Sequence, residues 1–222
     1  MDLNNTDTIV AVPEETFEEQ NRRFLALSDA EKRIAIANDV LFQIQLGKYQ
    51  SRYFGFISIR FSNNSHPDPE ESLRELLPQA EVCDVCALGG LFLSCTRLNN
   101  KTKVGAIRGS SWVDQSKVKS ELSMGQIIRA GGSFSNQLDQ FFSRKQLMLI
   151  EIAFEEGCGS FLINYIENTY LNERGEEVPI TPEIERAVKF SENNLCDDSD
   201  QRTLRLQKIM ENIISNGGTF VP

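Results

Sequence analysis

Residues 28–47, SDAEKRIAIANDVLFQIQLG, carry the clearest helix signal in the chain. Ser28 and Glu31 have the spacing of a capping box, in which each side chain accepts a hydrogen bond from the other residue's backbone N–H. Gly47 suits the left-handed residue that often follows a helix. The apolar residues between them recur at helical spacing: Ile34, Ala37, Val40, Leu41 and Ile44. The stretch predicts an amphipathic helix over residues 29–46.

Other stretches predict one strand and a buried helix. Residues 52–61, RYFGFISIRF, place aromatic and β-branched side chains on one parity, which is typical of a strand. Residues 82–98 are apolar on so many sides that they predict a helix buried within the protein.

The second half of the chain contains three helix starts. Ser143 and Gln146 have capping-box spacing before a helix that reaches Glu155. Thr181-Pro182-Glu183 combines a cap, a proline and an acid. Asp198-Ser199-Asp200 opens a last helix, which Gly217-Gly218 ends.

These patterns predict a mainly α (α+β) fold: a compact helical domain with a small antiparallel β element near residues 52–61. We expect residues 1–22 to be a flexible acidic leader. Residues 23–222 are expected to form a single domain, because one domain usually has roughly 100–200 residues. The predicted core comprises Ile34, Val40, Leu41, Ile57, Ile59, Leu88, Leu91, Phe92, Leu147, Ile150, Phe154, Ile209 and Ile213.

Charge and hydropathy argue against two kinds of partner. The net charge is −9, and lysines and arginines form no cluster of the kind that binds nucleic acid directly. No signal peptide is visible, and the apolar runs are shorter than the ~18 residues that suggest a membrane span. The sequence therefore predicts a cytoplasmic protein without membrane contact, whose five cysteines are reduced thiols.

Cys83 and Cys86 are the most noticeable pair of reactive residue types. A Cys-x-x-Cys pair can supply two zinc ligands or a redox dithiol, but zinc needs further ligands and a redox pair usually follows a strand. Because the sequence shows no clear strand before Cys83, the favoured interpretation is two small core residues. The metal site at Cys83 and Cys86 and the redox site are kept as alternatives.

Three further features have an ordinary structural interpretation beside a functional one. His66, the single histidine, lies in a polar loop and is expected to be exposed. Glu151 and Glu155 share one helical face and are expected to be solvated. Trp112, the single tryptophan, either anchors a partner or pins a poorly patterned region, residues 99–136, to the core.

Three stretches carry a resemblance: RIAIANDVLFQIQLGK at 33–48, CDVCALGGLFLS at 83–94, and IMENIISNGGTFVP at 209–222. The chain resembles a family of uncharacterised small proteins of bacteria and their phages. The resemblance implies a cytoplasmic setting and a phage or mobile-element origin. It implies no catalytic residue and no cofactor.

No catalytic constellation is complete, so the sequence favours a non-enzymatic protein without a cofactor. We expect it to bind another protein and to modulate a host macromolecule, for example as an inhibitor of a nucleic-acid-handling host system. The alternatives are a thiol-based redox or zinc-binding protein that uses Cys83 and Cys86, and a helical protein that binds a small molecule.

Overall fold

Helices supply most of the residues that the structure describes, and four short strands form one sheet. The computed structural model describes residues 16–51, 57–61, 70–99, 102, 121–124, 135–155, 181–194 and 199–222. The helices are α1 (Phe17–Leu25), α2 (Asp29–Gln45), α3 (Leu73–Leu76), α4 (Ala87–Asn99), α5 (Ser135–Leu138), α6 (Arg144–Glu155), α7 (Pro182–Glu192) and α8 (Ser199–Ser215). The strands are β1 (Tyr49–Ser51), β2 (Ile57–Phe61), β3 (Ala80–Val85) and β4 (Glu121–Met124). The mainly α (α+β) class predicted from the sequence is confirmed.

The sheet is mixed, with the strand order β1-β3-β2-β4. β2 runs antiparallel to both β3 and β4, whereas β1 runs parallel to β3. The strand predicted near residues 52–61 is present as β2, and residues 52–56 lie outside the described residues. β2 lies between β1 and β3 in the sequence and runs in the opposite direction to both, so β1 and β3 are parallel.

Residues 82–98 do not form the single helix that the sequence predicted. β3 ends at Val85 and α4 begins at Ala87, so strand and helix meet at Cys86. The prediction was wrong because a buried strand and a buried helix give the same apolar pattern over a few residues. The β-branched side chains of Val82 and Val85 are the local signal that favours the strand.

Helix α2 forms as its sequence indicates. The Ser28 hydroxyl accepts the Glu31 N–H at 3.4 Å, and the Glu31 carboxylate accepts the Ser28 N–H at 2.8 Å. Gly47 follows the helix with φ +69°. At Gly90 of α4, an added Cβ would lie 3.5 Å from Val40 of α2 and 3.7 Å from Val85 of β3. Val40 of α2, Gly90 of α4 and Val85 of β3 are therefore close neighbours in the core.

Helix α1 begins inside the stretch that the sequence assigns to a flexible leader, residues 1–22. Thr16 and Glu19 form a complete capping box, in which the Thr16 N–H donates to the Glu19 carboxylate at 2.9 Å. The acidic composition of the stretch concealed this local helix start. Residues 17–22 thus belong to α1, and residues 1–15 lie outside the described residues.

The predicted core residues are buried, with two exceptions at the margin of α2. Ile34 and Leu41 are only partly buried. The other predicted members have less than a tenth of their surface exposed: Val40, Ile57, Ile59, Leu88, Leu91, Phe92, Leu147, Ile150, Phe154, Ile209 and Ile213. Sequence periodicity therefore identified the inward faces of α2, β2, α6 and α8.

Arg205 of α8 is fully buried and joins the ends of two other helices. Its guanidinium donates to the carbonyl of Phe154 in α6 at 2.7 Å, and to those of Ser191 and Asn194 at 3.0 and 2.9 Å. Ser191 lies in the last turn of α7, and Asn194 follows that helix. The cation thus lies at the negative ends of two helix dipoles, where the carbonyls of the last turn point away from the helix.

We expect the substitution Arg205→Met to lower the free energy of unfolding by about 3 kcal/mol or more, because it removes three hydrogen bonds from a buried cation, and hydrogen bonds of charged groups contribute ~1.5–3 kcal/mol each. Lys208→Met is the matched control. Lys208 is exposed, and its ammonium group donates to the Asn194 side-chain oxygen at 2.6 Å. The Lys208→Met substitution should therefore lower the free energy of unfolding by no more than about 0.5 kcal/mol. Urea denaturation measures both variants, and similar losses in the two would contradict the role of Arg205.

Candidate functional site

Cys83 and Cys86 lie at the junction of β3 and α4. Cys83 pairs with Tyr49 on β1 and with Ile59 on β2. The Cys86 carbonyl accepts the Gly90 N–H at 2.9 Å, and its sulfur accepts the Gly89 N–H at 3.4 Å. A thiol therefore occupies the position before α4 where a serine or aspartate is more usual. The strand that the sequence did not reveal is present, and it contains the first cysteine.

Both thiols are buried in surroundings that keep them protonated. Burial raises the pKa of Cys83 to about 12, although the positive charges of Arg97 and Lys48 oppose the shift. Burial also raises the pKa of Cys86 well above its ordinary value, and the carboxylates of Glu155 and Glu151 add to the rise. The charged groups that act on Cys83 include two cations, whereas those that act on Cys86 are carboxylates.

These surroundings give no support to a reactive dithiol or a metal centre. A reactive thiol needs a lowered pKa, and a structural zinc site needs four ligands. Within the described residues, no group of three or more His, Cys, Asp or Glu side chains could hold a metal ion. The metal and redox sites at Cys83 and Cys86 stay predictions.

Glu151 is buried, although its position in the sequence predicted a solvated side chain. Helix α6 packs on α4, and this contact turns the face with Glu151 and Glu155 towards Cys86. Glu155 is partly buried. The sequence contains a signal for this burial, since Glu151 has apolar residues on both sides in LMLIEIAFE.

A polar cluster that sequence reasoning missed lies between α2, β1 and α4. Asp39 of α2 forms an ion pair with Arg97 of α4, with 3.3 Å between Oδ2 and Nε. With its amide oxygen turned towards the guanidinium, Gln43 accepts from Arg97 Nε and Nη2 at 3.3 and 3.1 Å. The hydroxyls of Tyr49 and Ser94 are buried beside this pair and have no hydrogen-bond partner of good geometry.

Burial dominates the ionisation of this cluster. It raises the pKa of Asp39 above the ordinary 3.8, although Arg97 and the nearby Ser94 hydroxyl oppose the shift. It also raises the pKa of Tyr49 well above its ordinary value, with the Asp39 charge adding to the rise. Asp39 is thus an ionisable group on the inward side of α2. The apolar residues around Asp39 in the sequence of α2 were the only local signal that this carboxylate is buried.

The outward side of α2 presents two large apolar side chains. Phe42 and Leu46 lie one turn apart and are 52% and 56% exposed. Asn38 and Gln45 share this exposed stripe. On the neighbouring helix α8, Leu204 is 50% exposed. We call the four α2 residues the α2 face: Asn38, Phe42, Gln45 and Leu46.

Several residues singled out from the sequence lie outside the described residues. They are the predicted partner-binding residue Trp112, the single histidine His66, and Cys158 and Cys196. Cys95 lies on α4, buried and not in a disulfide.

Comparisons with protein-family models, curated proteins and solved structures gave no match to this chain. In the part of the chain that the structure describes, no helix has the length and hydrophobicity needed to span a bilayer.

We expect Cys83, Cys86 and Cys95 to resist iodoacetamide at pH 8 in the folded protein. With a pKa of about 12, only about one Cys83 in ten thousand is a thiolate at that pH. Mass spectrometry of proteolytic peptides locates the label, and the unfolded protein in urea is the control. Rapid labelling of Cys86 in the folded state would contradict this expectation and favour the redox alternative.

The raised pKa of Asp39 predicts how its contribution to stability depends on pH. Because the folded state binds this proton more tightly than the unfolded state, the contribution of Asp39 to the free energy of unfolding falls as the pH rises above 3.8. The free energy of unfolding of wild type minus that of the Asp39→Asn variant, measured by urea denaturation, should therefore decrease as the pH rises.

Glu31→Gln is a control of opposite sign. Hydrogen bonds from Ser28 lower the pKa of Glu31, so its contribution is present at neutral pH and is lost as the pH falls. The free energy of unfolding of wild type minus that of the Glu31→Gln variant should increase as the pH rises. Parallel trends for the two variants would show that Asp39 is not held in a desolvated site.

Proposed function

We propose that this protein is a non-enzymatic binding protein of phage or mobile-element origin, whose partner is another protein of the host cell. Binding would modulate that partner, for example by inhibiting a nucleic-acid-handling system. The observation that carries the proposal is the α2 face, where Phe42 and Leu46 are more than half exposed one turn apart.

The chemistry of the α2 face supports a protein partner. Its four residues carry no charge, although the chain as a whole has a net charge of −9. The centres of protein interfaces are depleted in charged residues and enriched in aromatic ones. A solvated face of an acidic protein would more ordinarily carry lysine and glutamate.

The helix that carries the face is well anchored. The Ser28–Glu31 capping box fixes its start, and its other side packs on α4 and α8. Side chains held on such a scaffold lose little conformational freedom when they bind a partner. This favours Phe42 as an interface anchor rather than as a mobile surface residue.

The thiol-based alternative has weaker support, because burial keeps Cys83 and Cys86 protonated. The small-molecule alternative has no observation in its favour among the described residues. The resemblance to phage proteins supports the host setting, and Trp112 is retained as a proposed second contact.

Site-specific photo-crosslinking in bacterial cells tests the proposal. A photoreactive phenylalanine analogue replaces Phe42, or, as the control, the exposed Glu211 of α8. We expect a discrete protein adduct from position 42 that position 211 does not give. The same adduct band from both positions, or none from position 42, would contradict binding through this face.

The substitutions Phe42→Glu and Leu46→Glu together provide the second arm. We expect them to abolish the adduct formed by a photoreactive residue at position 38, on the same face. The free energy of unfolding should change little, because surface substitutions usually cost within about 0.5 kcal/mol. An adduct that survives both charges would contradict an apolar interface.

A further inference from the structure

The segment after α8 turns back onto the helices through two glycines. Gly217 and Gly218 have φ of +63° and +84°, which side chains rarely adopt. A Cβ on Gly218 would lie 2.6 Å from the Ala30 carbonyl, so only glycine fits against α2 at this point. Arg33 of α2 donates to the Gly218 carbonyl at 2.6 Å. The turn is thereby fixed, and residues 219–221 leave it in a defined direction.

Two side-chain amides then bind the backbone of this segment. The Phe220 N–H donates to Gln146 Oε1 at 2.7 Å, and Gln146 Nε2 donates to the Phe220 carbonyl at 3.1 Å. The Val221 N–H donates to Asn212 Oδ1 at 2.8 Å, and Asn212 Nδ2 donates to the Val221 carbonyl at 2.7 Å. Each amide imitates one rung of a β-ladder, so these contacts do not depend on the side chains of the bound segment.

Side-chain recognition is concentrated on one residue. Phe220 is 1% exposed, and its ring meets that of Phe190 edge to face, with 5.4 Å between the centroids. Val221, the next residue, is half exposed. Helices α6, α7 and α8 thus hold the backbone of Phe220 and Val221 through Gln146 and Asn212, and they bury one aromatic side chain.

Gln146 serves this site rather than its own helix. The sequence predicted that it would close a capping box with Ser143. The Ser143 hydroxyl does accept the Gln146 N–H at 3.2 Å, but the Gln146 amide is bound to Phe220. A residue that could cap its helix locally instead recognises a segment more than seventy positions away.

We propose that the surface formed by α6, α7 and α8 around Gln146, Phe190 and Asn212 is a peptide-binding site. Its ligand is an extended peptide with a phenylalanine anchor followed by an aliphatic residue. Residues 219–221 occupy the site in cis, and their attachment through Gly217 and Gly218 gives them an effective concentration of about millimolar. The proposal is independent of the α2 face, which shares no residue with this site.

The test uses the full chain with Phe220→Ala, which removes the anchor and leaves Gln146 and Asn212 in place. The probe is the synthetic peptide NGGTFVP, with NGGTAVP as the control. We expect NGGTFVP at about 1 mM, the concentration scale of the tethered segment, to raise the melting temperature of the variant in a saturable manner. NGGTAVP should not raise it, and wild type should not respond because its own segment fills the site.

Adding Gln146→Ala to the Phe220→Ala variant should reduce the shift, because two backbone hydrogen bonds to the peptide are lost. The absence of a shift in the folded Phe220→Ala variant, or equal shifts with the two peptides, would overturn the proposal. A peptide-binding failure leaves the crosslinking result at position 42 unaffected, so the two proposals fail separately.

Hydrogen exchange of wild type provides the second measurement, and it applies even if the Phe220→Ala variant does not fold. If residues 219–221 are a replaceable ligand, the amides of Phe220 and Val221 should exchange through a local opening. They should then exchange faster than the amides of buried α8 residues such as Ile213. Exchange of Phe220 only together with Ile213 would show that the segment is a fixed part of the core and would overturn the proposal.

Discussion

The arrangement of helices α6, α7 and α8 depends on the hydrogen bonds of the buried Arg205 guanidinium. A charge without exposed surface must be fully hydrogen-bonded, and the three carbonyls that Arg205 binds belong to α6 and to the end of α7. The same contacts fix the directions of α6, α7 and α8 relative to one another. The surface that binds Phe220 consists of these three helices, so its shape depends on the hydrogen bonds that Arg205 of α8 makes to the ends of α6 and α7.

Local signals in the sequence predicted the helices that begin or end with capping residues. The Ser28–Glu31 box and Gly47 delimit α2, and Thr181 with Pro182 starts α7 as expected. Prediction failed where burial removed the contrast between apolar and polar faces. Residues 82–85 belong to β3 because β1 and β2 pair with this strand on its two sides, and neither pairing is visible in the stretch itself.

The candidate sites were harder to predict than the fold, because they depend on contacts between distant residues. Asp39 could be placed on α2 from the sequence, but its burial and its ion pair with Arg97 of α4 depend on the tertiary structure. Spacing placed Gln146 in a capping box, and only the tertiary structure shows its amide on Phe220. The outward direction of Phe42 follows from helical periodicity, since Val40 and Ile44 define the inward side of α2.

The packing of α2 against α8 has a consequence for the order of events during synthesis. The two helices run in opposite directions, since Arg33 reaches Gly218 beyond the end of α8 and the Ser51 N–H reaches Thr203 near its start. α2 leaves the ribosome long before α8 is translated. Its inward residues Val40 and Ile44 therefore lack this neighbouring helix until α8 has been made, and apolar surface exposed in this way is prone to aggregation. The contact between α2 and α8 can form only after α8 has left the exit tunnel.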